Sequence, residues 1–146
     1  MPSADAEFVV VRVHDGELDE ENWVYTWIDA EGVVVYVGAT GLDPRTRVWL
    51  HLHDADPDVG RMSARFERLA ETPLEVLAMR VPDELSRAEV RDVLGERVRD
   101  EGLLGEDAIT DHLQLVLEAT PEALEFAERY VARLRVYLEQ RDPAVL

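Results

Sequence analysis

Residues 23–53 read W-V-Y-T-W-I-D-A-E-G-V-V-V-Y-V-G-A-T-G-L-D-P-R-T-R-V-W-L-H-L-H. Trp23–Ile28 is aromatic and β-branched, a composition that suits a half-buried pleated surface. Asp29-Ala30-Glu31-Gly32 carries turn chemistry, and Val33–Val37 is a second β-branched run. Two such runs across a four-residue connection predict a β-hairpin. After Gly38 the segment Ala39–Pro44 reads as a loop, with Asp43 as N-cap and Pro44 at the first helical position. The predicted helix continues through Val48, Leu50 and Leu52.

On the N-terminal side, Glu7–Val13 predicts a strand and the acidic stretch His14–Glu21 a loop. Downstream, the Asp54–Gly60 loop leads into a predicted helix over Arg61–Ala70, with Met62, Phe66 and Leu69 on one face. Leu74–Val81 predicts a further strand, closed by Pro82. Ser86-Arg87-Ala88-Glu89 is a capping box that opens a helix directing Val90, Val93, Leu94 and Val98 inward. Ile109–Leu117 fits a strand or a helix equally well. Thr120-Pro121 begins a long last helix. Its stripe of Leu124, Ala127, Val131, Leu134 and Leu138 is widened by Ala123, Phe126, Tyr130 and Tyr137. A stripe that broad suits core packing, with a homodimer seam as the alternative. The expected fold is α+β: a small mixed or antiparallel sheet flanked by helices, plus the C-terminal helix, in one domain over 1–146.

Composition narrows the function. The chain has 146 residues, 32 acidic against 15 basic, a net charge of −17 and no cysteine. Disulfides, zinc–thiolate sites and cysteine nucleophiles are therefore excluded. All the cations are arginine. The average field repels phosphate, so any nucleic-acid face must be local, and Arg45, Arg47, Arg61, Arg65 and Arg68 are its candidates. Carboxylates are spread along the chain with no long block, which suits the solvated surface of a salt-adapted cell. Apolar runs reach only about five residues, too short for a membrane helix, and Met1–Asp5 lacks signal-peptide character. A soluble, cytoplasmic protein is expected, with no membrane partner.

The hairpin region resembles the GIY-YIG nuclease domain. Val24-Tyr25 stands where that family has the end of its first motif, and Tyr36-Val37-Gly38 matches the second at the family's spacing. A Gly/Thr loop and a helix bearing Arg47 and His51 follow, one turn apart. The resemblance covers residues 22–100 or so, leaving a helical extension over about 106–142. It implies that Tyr25 and Tyr36 take part in proton transfer, that Arg47 grips the scissile phosphate and that His51 assists. Gly38, Thr40 and Arg45 would line the substrate, which would be DNA or RNA. A glutamate-held Mg²⁺ would complete the charge neutralisation that phosphodiester cleavage needs. Chemically, two phenols, an arginine and an imidazole do suit a phosphate anion.

Two positions depart from the family pattern. Trp23 replaces its first glycine, and Leu94 falls where its metal-binding glutamate belongs. Leucine cannot bind Mg²⁺, which leaves Glu96 or Glu89 as the metal candidates. The expected function is a GIY-YIG-like domain acting on or binding a nucleic-acid phosphodiester, with loss of cleavage favoured over its retention. The alternative is a non-enzymatic protein-interaction or phosphate-ligand module. His51-Leu52-His53-Asp54-Ala55-Asp56-Pro57-Asp58 also invites a metal reading, although a helix end followed by an acidic, proline-containing loop explains it as well.

Overall fold

The computed structural model describes residues 9–14, 21–41, 44, 47 and 74–140. Its strands are β1 (Val9–His14), β2 (Trp23–Ile28), β3 (Val34–Thr40), β4 (Leu74–Arg80) and β5 (Leu104–Ile109). The helices are α1 (Arg87–Asp100) and α2 (Pro121–Gln140). The strands form one mixed sheet in the order β1-β4-β2-β3-β5. β2 pairs antiparallel with both β3 and β4, while β1 and β5 are parallel to β4 and β3. The fold is α+β, with the long helix at the C-terminal end.

The β2–β3 hairpin turns on Asp29, whose Oδ1 accepts from the backbone N–H groups of Glu31 (2.9 Å) and Val33 (3.1 Å). Gly32 takes the positive φ of 85° that this turn requires. The register then slips by one residue, since Ile28 pairs with Val34 but Trp27 with Tyr36. Val35 is the extra residue of this bulge, and it lands on the same side as Tyr36. β3 runs on to Thr40, which pairs with Trp23, so Ala39 and Thr40 belong to the sheet and not to the loop expected for them.

Strand alternation gives the sheet two different faces. Val24, Ile28, Val37, Leu77 and Met79 face α1 and α2, sharing a core with Val90, Leu94, Val98, Phe126 and Leu134. Trp23, Tyr25, Trp27, Tyr36, Val76 and Ala78 form a separate aromatic cluster on the other face.

α1 starts at Ser86, whose hydroxyl accepts from Glu89 N at 3.3 Å. Only half of the expected capping box forms, because the Glu89 carboxylate accepts from Thr120 Oγ1 (2.8 Å) instead of reaching back. Thr120 also caps α2 by accepting from Ala123 N at 3.3 Å, so one bond ties the starts of both helices. α2 buries Ala123, Phe126, Ala127, Tyr130, Val131 and Leu134 against its own chain. Leu124 faces out at 43% exposure, which corrects the stripe expected from the sequence. Apart from Leu124, the stripe offered as a homodimer seam packs against this chain's own core.

Tyr130 anchors α2 to the sheet. Its hydroxyl donates to the Leu77 carbonyl and takes a 2.8 Å bond from the buried Thr26 hydroxyl. Burial pushes the Tyr130 phenol well above its ordinary ionisation range, the bond from Thr26 opposing only part of the shift.

Candidate functional site

The hairpin register places Tyr25 opposite Gly38, with Tyr36 two residues before Gly38 and on the same face. The two rings stack diagonally across the strands, with centroids 6.1 Å apart and planes 30° from each other. Gly38 is what lets them meet. A Cβ added there would stand 2.6 Å from the Tyr25 Cζ, the Tyr25 hydroxyl and Tyr36 Cε2. Any side chain at position 38 would drive the phenols off the sheet. Gly38 and Thr40, expected to line a substrate, are both buried, and over Gly38 the space is taken by the rings.

Arg47 joins this pair from beyond the end of β3, where Pro44 and Arg47 stand in helical backbone. Its guanidinium donates a hydrogen bond to the Tyr25 phenol, which in turn bonds Tyr36. Burial pushes the Tyr25 hydroxyl far above its ordinary range, and the second phenol beside it, Tyr36, adds to this because two phenolates so close would repel. The Arg47 charge and hydrogen bond pull the other way without overcoming them. Tyr25 is 2% exposed and Tyr36 3%. A phenol held protonated this strongly is a hydrogen-bond donor at neutral pH and a poor general base. Arg47 is half-buried and keeps a solvent-facing side.

A third ring, absent from the site expected from the sequence, completes the stack. His112 lies on Tyr36 with centroids 4.5 Å apart and planes 17° from parallel. Its Nε2 is 2.5 Å from the Val37 carbonyl, an acceptor only, so this nitrogen carries a proton and donates. The only hint in the sequence is a histidine following a strand-like run, 75 residues from Val37.

The carboxylates proposed as metal ligands are elsewhere. α1 packs on the helix-side face of the sheet, opposite Tyr25 and Tyr36. Leu94 is fully buried in that core, where its apolar side chain belongs. Glu89 is engaged with Thr120, and Glu96 Oε1 accepts from Val116 N at 3.5 Å. Asp92, also buried, accepts from Gln114 N at 3.2 Å and from Arg91 Nε at 3.0 Å. Asp92 and Glu96 are i,i+4 neighbours on α1, and they accept from alternate backbone N–H groups, those of Gln114 and Val116, in the segment after β5. Leu113 of that segment lies against Gly95, where a Cβ would meet its Cδ1 at 2.8 Å. Among the described residues no group of three or more His, Asp or Glu is placed to hold a metal ion.

Further along the same end of the sheet, the Arg87 guanidinium lies against Gly41 and donates to the Asn22 side-chain oxygen. Asn22 itself carries a positive φ of 69°. Arg45, His51 and the His51–Asp58 run lie outside the described residues, as do Arg61, Arg65 and Arg68. No described helix is long and apolar enough to cross a membrane. Compared with protein-family models, with curated proteins and with solved structures, the chain matches none.

Proposed function

We propose that this chain is a GIY-YIG-like domain of a salt-adapted cell. It engages a nucleic-acid phosphodiester through Arg47 and has lost metal-dependent cleavage. The observation that carries this reading is the division of the sheet. Tyr25, Tyr36 and Arg47 meet on one face, while α1 and its carboxylates Glu89 and Glu96 pack on the other. The first half of that arrangement supports phosphate binding, because a guanidinium braced by a phenol presents its remaining N–H donors as a preorganised fork. The second half supports loss of cleavage. Charge building on the phosphoryl oxygens needs a cation, and the helix that would supply its ligand faces the wrong way.

The roles of the tyrosines shift accordingly. Instead of moving protons, they hold the arginine: Tyr25 by its hydroxyl, Tyr36 through Tyr25. A guanidinium bound in this way recognises the diester group common to DNA and RNA and carries no base preference.

The test is fluorescence anisotropy with a labelled single-stranded oligonucleotide at molar KCl, where the Debye length of ~3 Å removes long-range repulsion by the net charge. Plasmid nicking with Mg²⁺ or Mn²⁺ is run alongside. The wild type binds, Arg47→Ala loses at least tenfold in affinity, and neither nicks. Nicking by the wild type that Arg47→Ala abolishes would instead establish an active nuclease. No binding by either would leave the protein-interaction module.

A further inference from the structure

His112 is not on the hairpin, on α1 or in the region that resembles a nuclease. It follows β5, and its ring reaches the aromatic face from the edge of the sheet. Three observations fix it there. The ring lies 4.5 Å from Tyr36 and nearly parallel to it. Its Nε2–H donates to the Val37 carbonyl at 2.5 Å. The next residues are fastened to α1: Leu113 against Gly95, Gln114 N to Asp92 and Val116 N to Glu96. His112 is therefore the last residue on the aromatic side of a strap whose other end is tied to the helix side.

The consequences run along the stack. The His112 side chain is 9% exposed, Tyr36 3% and Tyr25 2%, so these rings sit in a packed interior where none can tilt without moving its neighbour. From Tyr36 the chain of contacts passes to Tyr25 by ring stacking and a phenol hydrogen bond, and from Tyr25 to Arg47 by the guanidinium hydrogen bond. We propose that His112 is a positioning residue of this site: by stacking on Tyr36 it fixes Tyr25, and through Tyr25 it sets where Arg47 points. The strap gives Asp92 and Glu96 a role in the same site from across the sheet, as anchors and not as metal ligands. The proposal rests on the phosphodiester reading only for its binding arm.

The experiment compares His112→Ala with His112→Phe in the whole chain. Phenylalanine keeps a flat ring on Tyr36 and gives up the bond to Val37. The first readout needs no ligand: the guanidinium proton resonances of Arg47 in NMR spectra, assigned by their loss in Arg47→Ala. His112→Ala shifts or broadens these resonances while the amide spectrum of α1 and α2 stays in place, and His112→Phe returns them to their wild-type positions. The second readout is oligonucleotide affinity, reduced at least fivefold in His112→Ala and within twofold of wild type in His112→Phe.

Unchanged Arg47 resonances in His112→Ala would overturn the proposal, and so would a phenylalanine variant no better than alanine. A wild type that binds no oligonucleotide would end the phosphodiester reading, and the Arg47 resonances alone would then decide the place of His112.

Discussion

Gly38 and Tyr25 are cross-strand partners in direct contact, and a single added carbon on Gly38 would lie 2.6 Å from the Tyr25 hydroxyl and ring. The glycine of β3 acts as a seat for the phenol of β2.

Gly38→Ala is accordingly destabilising. Both obstructing rings are buried and have no room to move aside, so the cost is that of overpacking, ~1–3 kcal/mol. Urea denaturation followed by circular dichroism measures it as a lower midpoint at unchanged slope. Arg47 loses its phenol partner at the same time, so oligonucleotide affinity falls in the same variant.

Tyr130→Phe tests the tie between α2 and the sheet. The phenol satisfies the Leu77 carbonyl and the Thr26 hydroxyl, both buried, and its removal leaves both without it. Orphaned buried polar groups of this kind cost ~1–3 kcal/mol each. The double variant Tyr130→Phe with Thr26→Val removes the hydroxyl as well and recovers part of the loss. Chemical denaturation of the four proteins in the cycle reads the coupling.

Alkaline pH gives a signed prediction. Tyr25 and Tyr130 are both pushed above the ordinary tyrosine value of 10.0, chiefly by burial. Their neutral forms favour the folded state, so this contribution is whole below pH 10. Above it the unfolded chain ionises first, and stability declines as pH climbs. Ultraviolet titration reports the Tyr25 and Tyr130 phenols ionising only as the chain unfolds. Tyr25→Phe removes one phenol from that late step.

Much of this arrangement could be read from the residues, and the rest could not for definite reasons. The hairpin was legible because Asp29–Gly32 has strong turn chemistry, and the start of α2 because Thr120-Pro121 is a capping pair. β5 was not, since L-G-E-D-A-I has little strand character and pairs irregularly at the sheet's edge, Val34 with Leu104 but Tyr36 with Ile109. The side of the sheet on which α1 docks was also hidden. Every residue of β2 is buried, so its sequence shows no polar face to mark which side takes the helices. That choice decides whether Glu89 and Glu96 can meet Tyr25. His112 escaped notice because Thr110-Asp111-His112 has no periodicity and its partner Val37 is remote in the chain.

Glu96→Gln separates the two roles open to that carboxylate. As an anchor, Glu96 takes a backbone N–H from the strap, and the amide oxygen of glutamine accepts the same bond. The variant therefore keeps wild-type oligonucleotide affinity within twofold, and 10 mM EDTA changes neither protein. A Mg²⁺-dependent rise in the melting temperature of the wild type, absent from Glu96→Gln, would restore the metal reading.

A pair of anisotropy titrations on wild type and Arg47→Ala at molar KCl, each followed by incubation with plasmid and Mg²⁺, tests phosphate binding by Arg47 and the loss of cleavage together. Saturable binding by the wild type, a loss of at least tenfold in the variant and intact plasmid from both are the predicted results. Equal affinity for the two proteins would contradict the phosphate role of Arg47, and Arg47-dependent nicking would contradict the loss of cleavage.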